Sequence, residues 1–198
     1  MKISKIAFEI IELLLKEMKE CYLREIAKKT DNSTSSISRQ LKILKNSKIL
    51  IERKSGKELM YSLNFKNNTT LKLCELVEVQ RLEKFYRRNQ EIKIILEDFL
   101  DKIKSENLVN VTIFGSIAKE KYTKESDIDI LIITNRKEDF AKEIRKIHAE
   151  HEINLSIINM TKKELEEKKS EPLIKELVKN CLILFGYEYF IQKVILNE

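Results

Sequence analysis

The sequence predicts an α+β chain whose N-terminal and C-terminal domains are joined by a long helical connector, and three observations carry that expectation. Apolar residues in the first third recur at the helical period, then give way to two short alternating runs on either side of Ser55-Gly56. Residues 70 to 105 contain neither Gly nor Pro and keep mixing apolar with charged positions. Beyond them, runs of Val, Ile, Leu and Phe alternate with polar, helix-like stretches, the pattern of a mixed α/β domain. The 198 residues leave room for two small domains. The expected boundaries are 1–66, 67–106 and 107–198.

Composition narrows the function classes. With three Gly and one Pro the chain is neither collagenous nor dominated by linkers. Its longest apolar run, Cys181 to Phe185, is far short of the ~20 residues needed to cross a bilayer, so no membrane partner is expected. The start, Met1-Lys2-Ile3-Ser4-Lys5, leads into a stretch interrupted by Glu and Lys rather than a continuous apolar leader. Cys21, Cys74 and Cys181 are odd in number, far apart and without a C-x-x-C pair, which suits a reducing cytoplasm better than a disulfide framework or a zinc site.

The net charge of +6 is localised. Residues 1 to 65 hold 14 Lys/Arg against 8 Asp/Glu, and the rest of the chain holds 24 of each. Between positions 39 and 57, Arg39, Lys42, Lys45, Lys48, Arg53, Lys54 and Lys57 face Glu52 alone. A basic stripe on one small domain is the electrostatic footprint of a phosphate-backbone binder, although a merely solvated surface gives the same composition.

The order of elements sharpens this. Ile3, Ile6, Ala7, Ile10, Ile11, Leu14 and Leu15 mark one helix over residues 3 to about 19, and Leu23, Ile26 and Ala27 mark a second. Asp31-Asn32-Ser33 offers a turn and an N-cap. Ile37, Leu41 and Leu44 mark a third helix, followed by a hairpin from Ile49-Leu50-Ile51 through Ser55-Gly56 to Glu58-Leu59-Met60-Tyr61-Ser62-Leu63. This resembles the winged helix-turn-helix of ArsR/MarR-type regulators over residues 3 to 64. The resemblance implies a double-stranded DNA partner. It places Ser33, Thr34, Ser35 and Ser36 at the N-terminus of the recognition helix, Arg39 and Gln40 where they pair with base edges, and Arg53, Lys54 and Lys57 on the wing. Regulators of this type carry a Gly after the third helix; here Asn46-Ser47 stands there, with Asn expected to supply the left-handed cap. The connector reads as one or two helices broken near Asn89. It packs either on its own domains or against a second copy in a homodimer.

The sharpest motif is in the last third. An apolar run, Val109 to Phe114, ends at Gly115-Ser116; ten residues later Asp127-Ile128-Asp129 opens a second apolar run. Gly lets the backbone turn and approach a phosphate, and Ser116 opens a helix whose free amides receive phosphate oxygens. Two Asp at i, i+2 on a strand share a face about 6.6 Å apart at Cα, a spacing that lets both carboxylates converge on hard, oxygen-seeking cations. Gly-Ser-x10-Asp-x-Asp resembles the minimal nucleotidyltransferases of the DNA polymerase β-like superfamily, over residues 90 to 190. The resemblance implies Mg2+ and ATP or another nucleoside triphosphate, with Asp127 and Asp129 as catalytic metal ligands, Gly115 and Ser116 at the phosphates, and Lys119 as a cation that offsets phosphate charge. It also implies a third carboxylate on the strand near residues 153 to 158, where Asn154 stands instead; Glu152, two residues away on the expected pleat face, is the substitute. Two functions stay open: a DNA-binding regulator that senses or transfers a nucleotide, and an active enzyme of the antitoxin kind that moves NMP from ATP to a hydroxyl on a toxin-like protein acceptor. His148 and His151 at i, i+3 are more readily hydrogen-bonded than metal-bound, Lys162 to Lys169 reads as a helix surface, and Pro172 opens an expected last helix through Leu173, Leu177, Cys181 and Leu182 to Gly186.

Overall fold

The computed structural model describes residues 3–123, 125–168, 171–172, 174 and 180–196. The chain forms two compact units, Met1–Glu78 and Val79–Glu198, with the division inside one helix.

In the first unit, α1 (Lys5–Glu17) starts where the Ser4 hydroxyl accepts the Ala7 N–H. Strand β1 (Cys21–Tyr22), two residues long, leads into α2 (Leu23–Lys29) and α3 (Thr34–Asn46). The hairpin is β2 (Leu50–Ser55) and β3 (Glu58–Leu63), in the order β1-β3-β2. Ile10, Ile11, Leu14, Ile26, Ile37, Leu41 and Leu44 are fully buried, so each helix presents its periodic stripe to one core. Two-residue pairing of Cys21 with Tyr61 and Tyr22 with Met60 makes a third strand that carries no hydrophobic period of its own. The cap after α3 falls elsewhere than expected: Asn46 is the last helical residue and Lys48 takes the left-handed conformation, φ 58°. The Asn64 and Asn67 side-chain amides both donate to the Lys48 carbonyl, which holds that turn from outside the helix.

Helix α4 (Asn68–Arg88) ends at Asn89, and α5 (Gln90–Lys102) begins immediately after it. The second unit is a four-stranded sheet in the order β6-β5-β4-β7. It comprises β4 (Leu108–Phe114), β5 (Ile128–Thr134), β6 (Leu155–Thr161) and β7 (Leu182–Phe185). β4 runs antiparallel to β5 and to β7, and β5 runs parallel to β6. Strand alternation divides the core: Ile128, Ile130 and Ile132 join one cluster with α5 and with Ile147 of α7 (Ala141–His151), while Leu131 and Ile133 face a second with Leu165 of α8 (Lys162–Lys168). α9 (Tyr187–Tyr189) and the π-helical Phe190–Ile195 close that second face, with Phe190 fully buried. A sheet buried on both faces reads as an unbroken apolar run, which is the character of Ile130 to Ile133. Asn110 and Thr112 are buried on β4 but satisfied: Asn110 donates to the Phe185 carbonyl at 2.6 Å and accepts from the Thr112 hydroxyl at 2.9 Å.

The C-terminal helix expectation is corrected in its last part. Leu182 to Phe185 form the edge strand β7, because Leu182 and Leu184 enter one core cluster while Ile183 enters the other, a period of two. Leu173 and Leu177 lie outside the described residues. Gly186 ends a strand, at φ 77°, with its α-carbon so close to β4 that a Cβ would sit 2.0 Å from the Val109 carbonyl oxygen. Gly56, at φ 60° in the wing turn, has nothing within 4 Å of its Cβ position. Urea unfolding should separate the two: Gly56→Ala loses about 1 kcal/mol through left-handed strain alone, whereas Gly186→Ala, with strain and a backbone clash, loses about 3 kcal/mol or more. Equal losses would contradict the packing described.

Candidate functional site

Gly115 (φ 71°) follows β4 and opens α6 (Gly115–Ala118). Phe114 pairs with Asp129 across β4 and β5, so the turn after Phe114 folds onto the Asp129 side chain. A Cβ on Gly115 would stand 2.0 Å from Asp129 Oδ2. The Gly-Ser turn and the Asp-x-Asp strand, ten residues apart in sequence, therefore meet in space. Lys119 is the exposed C-cap of α6, its backbone N–H bonded to the Gly115 carbonyl at 3.3 Å.

Asp129 lies within β5 and Asp127 just before it; Ile128 between them faces the α5/α7 cluster, so both carboxylates fall on the opposite side, with Leu131 and Ile133. Asp127 is exposed and Asp129 half-buried. Among the described residues neither takes a hydrogen bond or an ion pair. Two such carboxylates beside a turn with no room for a side chain suit a hard divalent cation, whose ligands are oxygens. Asp127, Asp129, Gly115 and Ser116 are the groups that would hold it with its phosphates.

The third position divides as follows. Ile128 pairs with Leu155 and Asp129 with Ser156, and the Ile128 N–H donates to the Asn154 carbonyl at 2.9 Å. Ile153 and Leu155 both pack on the α5/α7 cluster, so Asn154 between them projects to the face of Asp127 and Asp129. Glu152 does not share that pleat face. It is the left-handed C-cap of α7, φ 54°, exposed, and it lines a cavity on the α5/α7 side. Among the described residues, no third carboxylate or His stands with Asp127 and Asp129 as a ready ligand cluster.

In the first unit the expected DNA residues occupy one end of α3 and the wing. Ser33 is the N-cap; its hydroxyl accepts the Ser36 N–H at 3.3 Å and bonds the Ser35 and Ser36 hydroxyls. Thr34 begins α3, Arg39 is exposed and Gln40 half-exposed on it. Lys54 and Lys57 are exposed beside the wing turn. Arg53 is held differently, in a forked pair with Glu20, which lowers the Glu20 carboxyl below its ordinary range.

Comparison with known proteins matches a stretch of each unit. Residues 4–51 match the model of the bacterial regulatory protein arsR family, and residues 92–185 that of the nucleotidyltransferase domain. A Methanocaldococcus jannaschii relative named "Putative protein adenylyltransferase MJ1305" is 34% identical over 105 residues, 48% of this chain and 67% of that protein. The chain belongs to the nucleotidyltransferase family. Two solved structures resemble parts of it. "Crystal structure of the toxin-antitoxin with AMP-PNP" is 21% identical, with 55% of this chain and 84% of that one covered and a TM-score of 0.39. "Crystal structure of a putative nucleotidyltransferase from Sulfolobus solfataricus" is 26% identical, with 53% and 86% covered and a TM-score of 0.30. Both scores are below 0.5, and membership rests on the sequence relationship.

The nucleotidyltransferase domain also holds a polar cluster that sequence reasoning missed. His151 Nε2 bonds Asp98 Oδ2 at 2.9 Å, and Lys102 bridges Asp98 at 2.5 Å and Glu150 at 2.9 Å. Asp98, Glu150 and His151 are close enough to hold a metal ion, but the Lys102 ammonium already occupies the position of the cation. His148 turns instead to the Ile153 carbonyl at 3.2 Å, so the two histidines do not form a pair. No signal marked the cluster in advance, because Asp98 and His151 are 53 residues apart. None of the three cysteines forms a disulfide.

Lys102, then His151, hold the Asp98 carboxyl down at about 2. A carboxyl depressed in the folded state stabilises fully above its unfolded pKa, about 3.9, and loses that contribution as pH falls through the folded value. Wild type should therefore exceed Asp98→Asn in stability by on the order of 1–2 kcal/mol at pH 6, with the gap closing between about pH 4 and 2. Parallel unfolding curves at those pH values measure it; a gap independent of pH would remove the ion pair from the account.

Proposed function

We propose that this chain is a cytoplasmic, homodimeric DNA-binding transcriptional regulator whose nucleotidyltransferase domain binds a nucleoside triphosphate with Mg2+. The observation that carries the nucleotide part is the close approach of Gly115 to Asp129: a turn free of side chain lies directly against a carboxylate with no competing partner among the described residues. Gly115 and Ser116 receive phosphate oxygens, Lys119 offsets their charge, and Asp127 and Asp129 hold the cation. Bound Mg2+ supplies Lewis-acid polarisation of the phosphoryl group. For DNA, the exposed Arg39 and Gln40 read base edges and the Ser33–Ser36 amide end, with Lys54 and Lys57, contacts phosphate. Arg53 serves the wing by its pair with Glu20 rather than by direct contact.

A second reading, transfer of AMP to a hydroxyl of a protein acceptor, is supported by the name of the M. jannaschii relative. In that reaction the hydroxyl oxygen bonds the α-phosphorus, the α–β anhydride breaks, pyrophosphate leaves and the hydroxyl proton needs a base. Asn154 beside Asp127 is an amide and does not take that proton at neutral pH. This favours binding over rapid transfer.

Calorimetry with ATP and Mg2+ should show saturable binding to wild type that weakens at least about tenfold in Asp129→Ala, equivalent to ~1.4 kcal/mol. Absence of binding removes the nucleotide reading. With labelled ATP and candidate acceptors, wild type should label at most slowly and Asn154→Asp about 10²-fold faster, the scale of a restored general base. Rapid labelling by wild type would favour the enzyme instead. Binding to duplex DNA should fall steeply with added salt, and Arg39→Ala should weaken it about tenfold on a preferred sequence; salt-insensitive or absent binding at low ionic strength would reject the regulator reading.

A further inference from the structure

A cavity of about 480 Å3 in the nucleotidyltransferase unit lies apart from the Asp-x-Asp site. It opens between the Asn89 break, the first turns of α5, the residues Tyr122, Thr123 and Ser126, and the end of α7. Its floor is Ile92, Ile95, Ile117 and Ile153, all packed in the α5/α7 cluster. Asp127 and Asp129 project from the other face of the sheet.

The polar groups around this floor have a one-sided chemistry. The Asn89 amide donates to the Phe85 carbonyl at 2.8 Å, and the Gln90 amide to the Tyr86 carbonyl at 2.7 Å. The Tyr122 hydroxyl is bonded to Asn89 Oδ1, and the Thr123 and Ser126 hydroxyls are turned on each other at 3.3 Å. Arg88, at the rim, is held by Glu120 at 3.2 Å. The amide and hydroxyl donors are thus largely committed, and Glu120 offsets the Arg88 charge. The acceptors are not: Gln90 Oε1 and the Glu91 and Glu152 carboxylates have no hydrogen-bond partner among the described residues. His151 Nε2 is engaged by Asp98 Oδ2 at 2.9 Å. An apolar floor under an acceptor-rich, negatively charged rim matches a flat ligand whose N–H groups do all the donating.

The geometry points to this cavity as a second ligand site, taking a planar organic cation of the amidine or guanidine class. Its apolar body lies on the isoleucines and its N–H groups bond Glu91 and Glu152. Burial of the ring supplies affinity, and the two carboxylates on the lining select cation over anion. Glu91 and Glu152 are exposed, so their conversion to Gln leaves the core intact.

Benzamidine titrated into the isotope-labelled full chain, followed by amide chemical shifts, tests this, with benzoate as the isosteric anion. Saturable shifts at Gln90, Tyr122 and Ile153 with benzamidine and none with benzoate are expected. Glu91→Gln and Glu152→Gln should each weaken binding about fivefold, the loss of one charge-assisted contact, and the double variant more. Asp129→Ala should bind benzamidine as wild type does, which keeps this result separate from the nucleotide experiment. The proposal is overturned if benzamidine produces no shifts at these residues, if benzoate binds equally, or if the Glu91→Gln, Glu152→Gln double variant is unaffected.

Discussion

Asp129 Oδ2 occupies the space where any residue but glycine at position 115 would place its Cβ. That one steric fact joins the end of β4 to the start of β5 at their side chains as well as in the Phe114–Asp129 register. It requires φ 71° at Gly115, a conformation that other L residues resist, and it starts α6 beside a carboxylate. The Asp129 carboxylate at this turn takes no hydrogen bond among the described residues, and the proposed cation and phosphates rest on that.

The same sheet separates two chemistries by strand alternation. One face of β5 sends Ile128, Ile130 and Ile132 into the α5/α7 core, and the other carries the aspartates. The 480 Å3 cavity and Glu152 belong to the first face, and Asn154 to the second. The face of Asp127 and Asp129 thus has two carboxylates and an amide, while the cavity face has carboxylates and an apolar floor. Charge is divided along the chain as well: the entire +6 excess resides in residues 1 to 65, on the unit that carries the ArsR-type fold.

Much of this was legible from the sequence. Ile37, Leu41 and Leu44 at helical spacing, the Ser33 cap and the Ser55-Gly56 turn define elements whose causes are local, and they stand where periodicity and capping put them. Asn89 ends α4 as expected because its side chain turns back to the Phe85 carbonyl. The misplaced features depended on distant partners. Cys181-Leu182-Ile183-Leu184-Phe185 is an apolar run that suits helix or strand, and its pairing with Val111 to Ile113 decides for strand. Two-residue β1 exists only because β3 offers it an edge.

Residue types and their separations by themselves determined the Gly-Ser-x10-Asp-x-Asp motif, the basic N-terminal third and the amide at position 154, since each is a property of the covalent chain. Tertiary structure alone decided which side of the sheet each group serves. α7 runs to His151 and β6 begins only at Leu155. Glu152 therefore caps a helix above the cavity, and Asn154 enters the ladder beside Asp127. On a pleat of period two, a shift of one residue in where a strand begins exchanges its faces, and only packing against α5 and β5 sets that starting point.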